Sequence, residues 1–239
     1  MSTDVYFMES EEEAKRLDLK TEPLVVDRHA RWAGLQPGMR VADLGCGSGK
    51  TTFCLSKIAG TKGETVGIDN ASQRIEFAKK HYSTERINYV QADIRSDLSS
   101  LGTFDFVWIR FVMEYYGSTA YKIIKNINKI INPGGILCLI DLDYNCLTHY
   151  GLPKRLESAI QGIKQTLEKK ADFDPYAGRK LYSYLYDMDY EDIDMTIEAH
   201  HLIFGELNEV DAFNWTKKVE VGGKLSGYPF DDYEGGYEE

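Results

Sequence analysis

The sequence predicts an α/β protein on a doubly wound, mostly parallel sheet, with helices before it and a C-terminal α/β cap region after it. Three observations predict this. Short apolar runs alternate with amphipathic stretches between Arg40 and Leu142, the pattern of consecutive βαβ units. Three of these runs end at an aspartate: Asp43, Asp69 and Asp93. The first is followed by alternating glycines in V-A-D-L-G-C-G-S-G, Val41 to Gly49. Parallel sheets gather ligands at the carboxyl ends of their strands, so an acid and a Cβ-free turn there mark a binding edge.

The elements follow in order. Residues 9–34 read as helical, with Leu17, Leu24 and Trp32 as apolar contacts and a break at Pro23. Gln36-Pro37-Gly38 is a turn. A strand at 40–44 precedes a helix from Lys50 to Ala59, and Gly60 to Gly63 turns the chain. Thr65 to Asp69 is the second strand, Ala71 to Tyr82 a helix, and Ile87 to Asp93 the third strand. Phe104 to Ile109 is the fourth strand, followed by a helix from Tyr121 to Ile131. Asn132-Pro133-Gly134-Gly135 is a turn before a fifth, apolar strand, Ile136 to Leu142. Pro153 to Lys170 reads as an amphipathic helix with Leu156, Ile160, Ile163 and Leu167 on one side. Ile193 to Phe204 alternates as a sixth strand would, and Val210 to Val219 reads as helical. Val219 to Leu225 is a glycine-broken candidate for a seventh strand. The acidic, glycine-rich tail reads as mobile or as a cover. One domain is expected: a helical cover at 1–35, a core at 36–146, and a cap with the sixth strand and acidic tail at 147–239.

Composition narrows the partners. The chain has 239 residues, 43% of them hydrophobic, and a formal charge of −10. That charge argues against a broad nucleic-acid surface. No apolar run spans a bilayer and the amino terminus lacks a signal-peptide pattern, so a cytoplasmic protein with no membrane partner is expected. Cys46, Cys54, Cys138 and Cys146 have no C-x-x-C spacing and read as small buried hydrophobes.

Three readings compete for the glycine turn. Gly49-Lys50-Thr51 matches the end of a phosphate loop, but the required glycine five places earlier is Leu44. A nicotinamide oxidoreductase would use G-x-G-x-x-G and an acid on the next strand. Asp69 stands twenty positions after Gly49, but the glycines read G-x-G-x-G and Asp43 would repel a pyrophosphate. A cofactor with a sulfonium and an ammonium in place of phosphates welcomes that acid.

At this point the chain resembles the class I S-adenosylmethionine-dependent methyltransferases, over about residues 36–142. The resemblance implies a Rossmann-like methyltransferase fold and S-adenosyl-L-methionine as cofactor. It implies that Asp43, with the backbone from Gly45 through Cys46 to Gly47, holds the methionine end. Asp69 would accept both ribose hydroxyls and Asn70 would flank the adenine. Asp93 would accept from the adenine amino group, with Ile94 stacking beside it. Arg110, Phe111 and Met113 fall where cofactor and acceptor contacts are placed. Arg16, on the amino-terminal helix, would pair with the methionine carboxylate, against the alternative of a solvated helix charge.

The expected reaction is methyl transfer to a small molecule by in-line displacement, driven mainly by alignment and desolvation. The alternatives are a nicotinamide oxidoreductase and a non-catalytic cofactor-binding fold relative. Candidates for a general base are Glu114, Tyr115, Tyr116, Asp141, Asp143 and His149. Asp141 and Asp143, two apart on the fifth strand, would share one face. Extended by Asn145, that face is a sparse oxygen set for a cation, and no metal is expected. His149 reads equally as structural; His200 and His201 read as structural. The tyrosines between 176 and 190 either roof an acceptor or pack on the sheet. Neither an N/D-P-P-Y motif nor a Pro-Cys nucleophile is present, so no nucleic-acid substrate is expected.

Overall fold

The computed structural model describes residues 11–144, 149–200, 203 and 205–239. They fall into two units, Met1–Arg110 with Tyr121–Ile140, and Phe111–Ala120 with Asp141–Glu239.

The first unit is built on five parallel strands: β1 (Arg40–Leu44), β2 (Glu64–Asp69), β3 (Ile87–Gln91), β4 (Phe104–Arg110) and β5 (Ile131–Ile140). Their order is β3-β2-β1-β4-β5. The order reverses between β1 and β4, so the carboxyl ends of these two strands flank the crevice where such sheets bind ligands. Val41, Ala42, Leu44, Phe106, Trp108 and Ile109 are almost wholly buried, which suits central strands covered on both faces.

Helices α1 (Glu11–Lys20), α2 (Pro23–Trp32), α3 (Lys50–Ala59), α4 (Ser72–Tyr82) and α5 (Ala120–Ile127) complete the order up to β5. The amino-terminal helical stretch is divided before Pro23, where a break was expected, into α1 and α2. Pro23 opens α2, where its missing N–H costs nothing. Val26 and Ala30 of α2 join Leu55 and Ile58 of α3 and Phe106 and Trp108 of β4 in one core cluster. On the other face, Ile75 and Ala78 of α4 pack with Ile87 and Tyr89 of β3 and with Cys46.

Among the boundaries that moved from the sequence reading, two lie at the third strand and at the turn before the fifth. The third strand ends at Gln91, so Asp93 lies in the loop after it. The Asn132–Gly135 turn sits inside β5 as an irregularity: Phe104 pairs with Ile131 but Phe106 with Ile136. Gly134 takes φ +75° there, and Asn132 Nδ2 donates to Asp105 at 2.7 Å.

Gly49 shows why the turn needs its third glycine. Its φ is +84°, and a Cβ would stand 2.6 Å from Ala78 Cβ and 2.8 Å from the Tyr89 hydroxyl. Gly49→Ala is therefore expected to lose about 3 kcal/mol of stability, combining left-handed strain with overpacking. Urea unfolding checks it, and a change within about 0.5 kcal/mol, the range of a neutral surface substitution, would contradict it.

The second unit is helical among the described residues: α6 (Lys154–Ala171), α7 (Ala177–Tyr186) and α8 (Glu209–Leu225). Asn208 caps α8 by accepting from Asp211 N at 2.9 Å. The candidate seventh strand at Val219–Leu225 is the last part of this helix. The described residues of the 193–204 stretch form no strand; His201, Leu202 and Phe204 lie outside them. Met195 and Ile197 are 66% and 85% exposed, so the apolar alternation here buries nothing against a sheet. The acidic tail is docked through aromatic rings. Tyr228 lies against Gly162 of α6, Tyr237 against Gly223 of α8, and Arg155 stacks on Tyr233 at 4.2 Å.

Candidate functional site

The glycine turn is stitched to the end of β2. Gly45 N and Cys46 N both donate to Ile68 O, at 2.7 and 2.9 Å, and Gly47 N donates to Asp69 Oδ2 at 3.0 Å. Positive φ at Gly45, Gly47 and Gly49 makes this path possible. The backbone of the turn and the Asp69 carboxylate are thus one rigid assembly at the crevice.

Asp69 is 4% exposed. Besides Gly47 it receives Ala71 N at 3.0 Å and Arg74 Nε and Nη2 at 2.9 and 2.8 Å, these three all on Oδ1. Arg74 Nη2 also reaches Asn70 Oδ1 at 3.0 Å. The expectation that Asp69 holds two hydroxyls at once meets a specific obstacle, because Oδ1 already receives three donors. Oδ2, with one donor, keeps acceptor capacity. Sequence reasoning missed Arg74: its place five residues after Asp69 on α4 brings it back over the strand end, but nothing in its type announces that.

Asp43 lies beneath the turn, 2% exposed, and accepts from the Thr52 hydroxyl at 2.6 Å. Burial, with the nearby Asp69 charge, pushes its pKa up to about 7 against the lowering pull of Thr52 and Arg110. Arg110, at the end of β4, is itself lowered to about 10 by burial, with Asp43 opposing. Burial also lifts the Cys46 thiol well above its usual range, which leaves it as a neutral wall of the turn.

The third strand end joins the same edge. Ala92 N donates to Asp69 O at 3.0 Å and Gln91 Nε2 to Asn70 O at 3.0 Å. Ile94 is 4% exposed. Asp93 is held by Arg95, whose Nη2 lies 2.7 Å from its carboxylate.

Helix α1 covers the turn from outside. Leu17 Cδ1 would stand 3.1 Å from a Cβ on Gly47, Lys50 Nζ donates to Asp18 O at 2.7 Å, and the Tyr82 hydroxyl donates to the Asp18 carboxylate. Arg16 is not the solvated helix charge that was the alternative. It is 3% exposed and makes a bidentate pair with the equally buried Glu13, at 2.7 Å for both bonds.

The second unit holds the acid–base candidates. Asp141 Oδ1 accepts from Leu142 N at 2.8 Å and Oδ2 from Glu114 N at 3.2 Å. Glu114 is 3% exposed. Burial and the Glu114 charge push Asp141 well above the ordinary carboxylate range. Asp143 does not share this place, because β5 ends at Ile140 and the chain turns. Asp143 is exposed and pairs with Arg179 at 2.9 Å. Asn145 and Cys146 lie outside the described residues. Among the described residues no group of three His, Cys, Asp or Glu is placed to hold a metal ion. Tyr115 packs on Phe173 with ring centres 6.0 Å apart. Phe111 holds φ +57° directly after β4, and its ring lies 4.9 Å from that of His200. His149 is exposed and meets Trp215 edge-on at 5.7 Å.

The chemistry of this donor set fits a cofactor with positive and hydroxyl groups at separate ends. A desolvated carboxylate under the glycine turn favours a cation. A second carboxylate at the next strand end offers an acceptor to a hydroxyl. With the five-stranded parallel sheet, this defines the class I S-adenosylmethionine-dependent methyltransferase fold. The family described as "Methyltransferase domain" matches residues 35–198, and the chain belongs to it. Two demethylmenaquinone methyltransferases, from the MRSA252 and JH9 strains of Staphylococcus aureus, are 30% and 29% identical to it over 135 residues. The match covers 53% of this chain and 56% of theirs, so the chain spans about half the length of these curated relatives. A solved structure of a SAM-dependent methyltransferase from Aquifex aeolicus superposes with a TM-score of 0.54 at 20% identity, covering 76% of this chain and 89% of that one. Among the described residues no helix is long and apolar enough to cross a membrane.

Proposed function

We propose that this chain transfers the methyl group of S-adenosylmethionine to a small-molecule acceptor by in-line displacement. The observation that carries this reading is the joining of the glycine turn to Asp69 through Gly47 N, with the desolvated Asp43 beneath it. S-adenosylmethionine supplies a methyl group on a positively charged sulfur. Asp43 faces the charged methionine end and is held in its anionic form by that charge. Gly45, Cys46 and Gly47 allow close backbone approach. Asp69 accepts a ribose hydroxyl through Oδ2, and Asn70, Asp93 and Ile94 line the adenine. Arg16, oriented by Glu13, reaches the methionine carboxylate, and Arg110 balances the Asp43 charge when the site is empty of cations.

Within the second unit, Asp141 and Glu114 are the candidates for taking a proton from the acceptor. Burial and the Glu114 charge raise the Asp141 carboxyl, and that direction makes its carboxylate a stronger base toward a hydroxyl or ammonium. Tyr115 with Phe173 and Phe111 with His200 offer flat apolar faces to the acceptor. The exposed His149 is left as a packing residue against Trp215.

Titration calorimetry with S-adenosylhomocysteine tests the reading. The expected result is one site per chain, and reduced nicotinamide dinucleotide is expected to give no heat. Silence with S-adenosylhomocysteine overturns the proposal. Binding without methyl transfer across a broad acceptor panel would move the chain to the non-catalytic alternative.

A further inference from the structure

Helix α6 contains an anomaly in the second unit. Its amphipathic pattern predicts an inward face of Leu156, Ile160, Ile163 and Leu167, yet Leu156 is 41% exposed and Lys164 is only 6% exposed. A lysine is rarely buried unless it is paired. Here the Lys164 ammonium lies over the Tyr144 ring at 4.4 Å and the Tyr176 ring at 5.2 Å. It donates to the Tyr176 hydroxyl at 3.0 Å and to the Tyr144 hydroxyl at 3.4 Å, and Gln161 Nε2 donates to the Tyr144 hydroxyl as well. Among the described residues no carboxylate lies within ion-pair distance of Lys164.

The consequence falls on the two phenols. Each phenol oxygen is an acceptor for Lys164, so each O–H must point elsewhere, and among the described residues neither has an acceptor. A phenol that accepts from an ammonium is a stronger donor through its own hydrogen. Tyr144 and Tyr176 are part-exposed where the lysine is buried, so the tyrosines and not the ammonium are the side chains open to a ligand. The placement is enforced. Tyr144 holds φ +71°, and its N donates to Pro175 O at 2.6 Å. Tyr176 N is bound by Asp174 Oδ1 at 3.0 Å. A left-handed tyrosine costs about 1 kcal/mol or more and persists only where its surroundings hold it. Arg179, paired with Asp143, adds a cation over the Tyr176 ring at 4.5 Å. Burial works against the Lys164 charge, but the hydrogen bonds to Tyr176 and Tyr144 lift its pKa above the ordinary lysine value, so it stays charged. The same segment is tied to the backbone beside the acid pair: Asp174 N donates to Glu114 O at 2.7 Å and Gly178 N to Leu142 O at 2.8 Å.

We infer that Tyr144 and Tyr176, polarised by the buried Lys164, form an oxyanion-binding pair that takes a negatively charged oxygen on a flat aromatic acceptor. Tyr144 and Tyr176 are the contacts, and Lys164 and Gln161 position them. This rests on the methyl-transfer reading only for calling the ligand an acceptor; the anion site stands on its own geometry. A negatively charged oxygen would complete the charge balance that the fold leaves open around Lys164.

The probe is 4-nitrophenol, whose ionised form absorbs in the visible. Bound to the wild type, it should titrate about one pH unit or more below its free value, because donors aimed at the oxygen favour the anion. Tyr144→Phe and Lys164→Met should return the titration to the free value, and Lys164→Arg should keep part of the shift. A merely structural lysine would not move this titration. An unshifted titration in the wild type overturns the proposal, as does an undiminished shift in Tyr144→Phe. If Lys164→Met does not fold by circular dichroism, the wild type and Tyr144→Phe decide. S-adenosylhomocysteine binding is measured on the same samples. A shift without that binding sinks the methyl-transfer reading and leaves the oxyanion site; binding without the shift does the reverse.

Discussion

Asp43→Asn should make the ligand-free protein more stable at pH 8 while it weakens the cofactor site. The carboxyl has a pKa near 7 in the fold against 3.8 as its ordinary value, chiefly because it is buried. A carboxyl raised by folding contributes its stability in the protonated form. That contribution is whole below about pH 4 and falls away as pH rises toward 7. The full loss corresponds to about 4 kcal/mol. Asparagine keeps an acceptor for the Thr52 hydroxyl, 2.6 Å away in the wild type, and never ionises. Its amide hydrogens need partners of their own, so the net gain at pH 8 should be about 2 to 3 kcal/mol. The gain should be small at pH 4, grow through the window from 4 to 7 and then level off. Urea unfolding of both proteins across that range measures it. A gain that is constant with pH, or a loss at pH 8, would show that the carboxylate is not under desolvation strain. Binding should run the other way. A cation over Asp43 needs the carboxylate, so wild-type affinity for S-adenosylhomocysteine should rise between pH 6 and 8. In Asp43→Asn it should be at least about tenfold weaker and lose that rise, as expected when a charge-assisted bond is removed.

The sheet and its binding edge were legible because they are made by local, repetitive causes. Buried parallel strands are continuous apolar runs, and β1 came out of the sequence with the observed bounds, Arg40 to Leu44. The glycine turn was legible because left-handed backbone beside a packed helix leaves few alternatives to glycine. What failed was set by side chains meeting from distant places. Asp141 and Asp143 looked like neighbours on one strand face, but β5 stops at Ile140 and their surroundings diverge. Ile193 to Phe204 alternates like a strand, but its described residues form none, since alternation makes a strand only where a partner ladder exists. Lys164 was hidden inside the apolar pattern of α6, since periodicity counts the leucines around it and ignores the lysine. Arg16 could be read as a solvated helix charge, but Glu13 one turn before it was the signal that a buried pair was available. Arg74 left no signal beyond its distance from Asp69.

Asp69 and Arg74 separate the two things this edge must do, stand up and bind. Asp69→Ala removes the acceptor of Gly47 N, Ala71 N and two guanidinium bonds at once, and it takes the carboxylate away from a guanidinium whose side chain is 8% exposed. Breaking a buried pair from one side costs about 3 to 5 kcal/mol. In this variant a loss of cofactor binding could therefore come from a collapsed edge as easily as from a missing contact. Asp69→Ala with Arg74→Met removes both charges and keeps apolar volume, and it should recover at least about half of the lost stability, since replacing a buried pair by apolar groups is often near neutral. It should not recover S-adenosylhomocysteine binding, because the acceptor for the ribose hydroxyl is still gone. Arg74→Met alone breaks the same pair from the other side and should also lose stability, but Asp69 keeps its two backbone donors and the variant should still bind. Denaturant unfolding and calorimetry on the three variants read the two quantities separately. A double variant as unstable as Asp69→Ala would mean the Gly47 and Ala71 bonds, and not the ion pair, hold the edge. A double variant that binds like the wild type would remove Asp69 from the cofactor site and with it the principal support for the proposed chemistry.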